Sequence, residues 1–193
     1  MTTIERSSPR QSARTAGATV RDDRRLMWSA TFFALVVLIH GADHARRGAN
    51  ALHRDVFWLG TSAIVLEVGL VVLACQRHRL APVAGAIGGF FLAAGYLVVH
   101  FLPARSWLSD SFPSAVNVSP LSWIAASLEV ITALVLGVVG LVVLFHRGGF
   151  GSVGQANERQ RSFGRAVRHP VALAMISGNA ALLAVTAAQL VRS

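Results

Sequence analysis

Four long, nearly uncharged apolar stretches, at residues 26–44, 56–75, 83–102 and 121–145, dominate this chain. With a rise of about 1.5 Å per residue in a helix, each is close to or longer than the roughly 30 Å of a bilayer's hydrocarbon core. Inside lipid every backbone N–H and C=O must be satisfied within the segment, so runs of this kind read as α-helices. The expected fold is therefore an all-α integral membrane protein, a four-helix transmembrane bundle over residues 26–146. A fifth hydrophobic helix is expected within residues 171–193. It is richer in Ala and carries Asn179 and Gln189, so it either crosses the membrane or lies against the bundle.

The charge supports this division. All 18 basic residues are Arg, as in proteins of high-GC bacteria, and they cluster at the ends of the apolar runs. A net charge of +9 would also suit a nucleic-acid partner, but these Arg residues neither line one helix face nor alternate with aromatics, which excludes that class. With the amino terminus in the cytoplasm, thirteen Arg fall inside and five outside, the bias that orients membrane proteins. Residues 1–25, with six Arg and few large apolar side chains, are expected to form a disordered cytoplasmic tail. Residues 147–170 read as a basic cytoplasmic loop along the anionic inner leaflet. A twin-Arg signal peptide, suggested by Arg24 and Arg25, is disfavoured by the charged residues that follow its apolar stretch. The expected location is the bacterial plasma membrane, with the lipid bilayer as partner and a homo-oligomer or another membrane protein as further candidates.

The two halves of the bundle resemble each other. The first hairpin runs from LVVLIH, ending at His40, to LEV around Glu67; the second runs from YLVVHF, containing His100, to LEV around Glu129. His40 and His100 are 60 residues apart, and Glu67 and Glu129 are 62 apart. Each hairpin thus rises with a His near its outer end and descends with a Glu inside its apolar run. Both carboxyls lie roughly 12–17 Å from the outer helix ends, where an ionised group is costly and faces the bundle interior.

His40, Asp43 and His44 form an H-x-x-D-H pattern whose three- and four-residue spacings place them on one helix face. With His100, Glu67 and Glu129 they make a mixed imidazole and carboxylate set that suits zinc, manganese, iron or copper. A transition-metal site with His40, Asp43, His44, Glu67, His100 and Glu129 as ligands accounts for both residue types and leads the readings. In a second reading, His40 and His100 are the axial ligands of a b-type haem in an electron carrier. A third makes the Glu and His residues a proton relay in a small transporter, and a fourth makes them packing residues of an accessory subunit. No catalytic residue is indicated. H-x-x-D-H departs from the inverted zincin H-x-x-E-H in its acid, and the Gly-rich segment 149–154 lacks the Lys of a phosphate-binding loop.

The connection 103–120 carries Trp107, Asp110 and Phe112, with Trp123 just beyond, and reads as an interfacial cap over the bundle mouth. Asp110 is expected to be a solvated loop residue, with closure over a bound cation from above as the alternative. Cys75 reads as a packing residue, and His53, His78, His146 and His169 receive no role. Gly85 and Gly89 have the G-x-x-x-G spacing that permits close helix approach, within the bundle or between protomers.

Overall fold

A computed structural model describes residues 9–48, 54–103, 109–148 and 170–192 of the chain. Five helices account for most of them: α1 (Pro9–Arg47), α2 (Arg54–Cys75), α3 (Ala81–Tyr96), α4 (Pro120–His146) and α5 (Pro170–Arg192). No strand occurs among the described residues. Four of the helices are long and apolar enough to cross a membrane, over Gly17–Arg47, Asp55–Cys75, Ala81–Phe101 and Pro120–His146. The expected all-helical bundle of two hairpins with an added fifth helix is what the chain forms.

The local sequence sets the helix ends. At the start of α4, Ser119 accepts a hydrogen bond from the Ser122 N–H while the Ser122 hydroxyl accepts one from the Ser119 N–H. Pro120 follows at the first helical position, where its missing N–H costs nothing. α3 has a Pro in its first turn and ends in a widened π-helical turn, Leu97–Phe101, before Leu102 turns extended ahead of Pro103. Turns of this kind are frequent at functional sites because they shift the register of the side chains they carry. Here the turn carries His100.

α1 begins earlier than the sequence suggests. Residues 9–25, expected as part of a disordered tail, are helical. The last turn of this added stretch is held by two acids that composition alone did not single out. Asp23 accepts a 2.7 Å hydrogen bond from Arg147 at the end of α4, and buried Asp22 lies 3.3 Å from the His146 ring. These contacts continue the α1–α4 packing beyond the apolar run. Residues 1–8, Trp107 and the basic segment 149–169 lie outside the described residues.

The four long helices form a ring in which α1 packs on α4 and α2, and α3 packs on the same two. Close approach of α3 and α4 depends on small residues. A Cβ on Gly89 would lie 2.5 Å from the Gly137 nitrogen, and one on Gly140 would lie 2.5 Å from the Ala86 nitrogen. The G-x-x-x-G spacing therefore serves contact inside the chain, with α4 supplying Ala133, Gly137 and Gly140 opposite it. α5 lies against α1 and α2. There Leu182 fills the space above Gly41, and Leu38 fills the space above Gly178. Phe33, Leu26, Leu136 and Met175 are fully buried, whereas Val65, Phe91 and Phe145 are about 70% exposed, a surface suited to lipid. Cys75 packs at the margin of this core, as expected.

Candidate metal centre

α1 and α3 deliver three imidazoles to one end of the bundle. His40 and His44 stand one turn apart on α1, and His100 reaches them from the π-helical turn that ends α3. One nitrogen from each ring falls within a group whose members all lie within 4.8 Å of one another. The Nε2 atoms of His40 and His44 are 2.8 Å apart, and the ring centroids of His40 and His100 are 4.8 Å apart. His40 and His100 are buried and His44 is partly so.

Carboxylates stand behind these rings. His40 Nδ1 lies 3.6 Å from Glu129 on α4, while the Nδ1 atoms of His100 and His44 lie 3.5 and 4.0 Å from Asp110. A carboxylate at one ring nitrogen fixes the orientation of the other and raises its basicity, the arrangement commonly found behind metal-binding histidines. All three Nδ1 atoms are buried without a hydrogen-bond partner, as is Glu129 Oε2. Small ring movements would close these contacts.

Asp110 is the residue that the sequence misplaced. Far from being solvated, it is 4% exposed and accepts paired hydrogen bonds from the buried Arg47 guanidinium at 2.6 and 2.8 Å. Burial alone would raise its carboxyl, but the paired hydrogen bonds from Arg47 and the neighbouring His100 and His44 rings hold it below the ordinary 3.8. Arg47 also lies over the Phe112 ring, 5.2 Å from its centre, and Phe112 packs against His100. The backbone fastens this cap, with the Phe112 N–H donating to the His100 carbonyl and the Asn117 side chain donating to the Arg47 carbonyl. Phe112 and Trp123 thus form the expected cover.

The other sequence candidates are placed differently. Asp43 is buried but turned to Arg46, which donates to it at 2.8–2.9 Å and also bonds Ser119 and Ser122 on α4. Glu67 accepts a short hydrogen bond from the Tyr96 hydroxyl on α3, a partner the sequence reading did not single out. Neither carboxyl belongs to the imidazole group, and Glu129 meets it only through His40. The three histidines are thus the group that could hold an ion, with Glu129 and Asp110 beside their rings.

A cavity of about 240 Å³ adjoins the cluster. His40, His44 and His100 line one part of it, Glu67, Tyr96 and Glu129 another, and Asn179 reaches it from α5. The rest of the wall is mainly apolar. No protein-family model, curated protein or solved structure matches this chain.

Proposed function

We propose that this chain is a metal-binding membrane protein in which His40, His44 and His100 hold one transition-metal ion at the end of the bundle. The observation that carries the reading is the convergence of three imidazole nitrogens, each ring backed by Asp110 or Glu129. Three imidazoles with little oxygen among them suit zinc or copper better than manganese. Three protein ligands also leave a position open for water or a small ligand, as in catalytic and transfer sites. That position would face the cavity. Tetrahedral bonds of about 2.0–2.1 Å separate ligand nitrogens by roughly 3.3 Å, so the His40 and His44 rings would part slightly on binding.

The haem reading fits the geometry less well. Axial histidines must stand on opposite faces of a macrocycle, whereas His40 and His100 are in edge contact with His44 against both. The Arg distribution supports an amino terminus in the cytoplasm of a bacterial cell, which would put the cluster at the outer membrane face.

The test is elemental analysis of protein purified in mild detergent without chelators or a metal-binding tag. The expected result is close to one zinc or copper ion per chain in the native protein and almost none in His40→Ala or His100→Ala. Equal metal content in native and variant proteins would overturn the proposal.

A further inference from the structure

The cavity is lined by polar groups beyond the imidazole cluster. Glu67 and Glu129 are each 2% exposed and line the chamber, and the Oε2 atom of each is buried without a hydrogen-bond partner. Glu129 Oε2 faces His40 Nδ1, which leaves Glu67 Oε2 as the buried acceptor for which the described residues supply no donor. The Tyr96 hydroxyl already donates its hydrogen bond to the other oxygen of Glu67.

The chamber also has a window. Gly60 on α2 and Gly95 on α3 both line it, both are exposed, and a Cβ on either would meet nothing within 4 Å. Leu59 and Phe91, exposed on the same two helices, flank the gap. Since α2 and α3 are apolar over lengths that cross a membrane, this window opens toward lipid rather than water. An ion entering here would have to shed its hydration in hydrocarbon, so the occupant is neutral.

We infer that the chamber binds a lipid-dissolved ring compound with a hydroxyl head, of the phenol or hydroquinone class, entering between α2 and α3. Its O–H donates to Glu67 Oε2, and its ring lies among Phe57, Phe91 and Tyr96. The volume is slightly below the roughly 300–1,000 Å³ of sites for drug-sized ligands, which fits one ring with a short chain. Such a ligand would sit beside the imidazole cluster, but its binding does not depend on a metal being there.

The experiment measures saturable binding of radiolabelled 4-hexylphenol to the full chain in lipid nanodiscs, against its methyl ether, which has the same body and no donor. The expected result is one site per chain, with the ether at least about tenfold weaker because a buried acceptor stays unpaired. Glu67→Gln should weaken the phenol. Gly60→Phe with Gly95→Phe should abolish saturable binding while helix content and metal content stay at native values, since these positions border open space. Native protein stripped of metal with a chelator should still bind the phenol, which separates this site from the metal. Non-saturable partition alone, equal binding of phenol and ether, or indifference to the closed window would each overturn the inference.

Discussion

Glu129 Oε2 on α4 lies 3.6 Å from His40 Nδ1 on α1, so the acid of the second hairpin supports the histidine of the first. The reciprocal pairing is absent. Glu67 is held by Tyr96, one turn before His100, and Val36 occupies the position in the first hairpin that matches Tyr96. The two halves are thus similar in sequence but unequal in use, with both histidines directed to one end and the two acids given different partners.

If Glu129 orients His40, Glu129→Gln should weaken metal binding by about 10- to 100-fold without unfolding the bundle. Competition titration with a chromophoric chelator reads this directly. Affinity within twofold of native would show that the contact does not serve the ligand.

Glu67 and Tyr96 form a pair outside the imidazole group, so their removal should affect stability more than metal content. Tyr96→Phe leaves a buried carboxyl without its donor, at a cost of about 1–3 kcal/mol. Replacing both, with Glu67→Leu and Tyr96→Phe, should cost less than the sum of the single changes. Denaturation in detergent micelles measures the coupling, and simple additivity would contradict the pairing.

Arg47 and Asp110 are buried together, and breaking such a pair from one side typically costs about 3–5 kcal/mol. Arg47→Ala should therefore be among the more damaging single changes outside the core. The acid side of the stability profile follows from the lowered Asp110 carboxyl. Its contribution is complete above the ordinary value of 3.8 and is lost as pH falls through its lower folded value. Thermal unfolding from pH 6 to pH 2 should show this loss in native protein and a flatter acid limb in Asp110→Asn.

The α3–α4 seam makes a purely steric prediction. A methyl on Gly89 or Gly140 would press on the facing backbone, so either Gly→Ala change should destabilise the chain by about 1–3 kcal/mol. The same change at Gly95, which faces open space, should be neutral or better. Equal effects at the three positions would contradict the packing.

Much of this fold is legible in the sequence because lipid leaves few options. Apolar runs of bilayer length become helices, and their buried polar residues turn inward, which brought His40, His44 and His100 to notice together. What the sequence concealed depends on partners distant along the chain. Asp22 and Asp23 sit in an Arg-rich segment that looks soluble, and their meeting with His146 and Arg147 extends the α1–α4 contact ahead of the apolar run. Asp110 sits in a connection with no helical period, so neither its burial nor its pairing with Arg47 could be read from spacing. Asp43 shares a helix face with His40 and His44, but a third neighbour, Arg46, claims its carboxylate.

X-ray absorption at the edge of the bound metal tests the central claim most directly, because it reports the atoms around the ion. Native protein should show three imidazole nitrogens at about 2.0–2.1 Å, with a weaker fourth scatterer. The His40→Ala, His44→Ala, His100→Ala triple variant should give no specific signal. A shell made only of oxygen, or an ion retained in the triple variant, would contradict the assignment of these three histidines as its ligands.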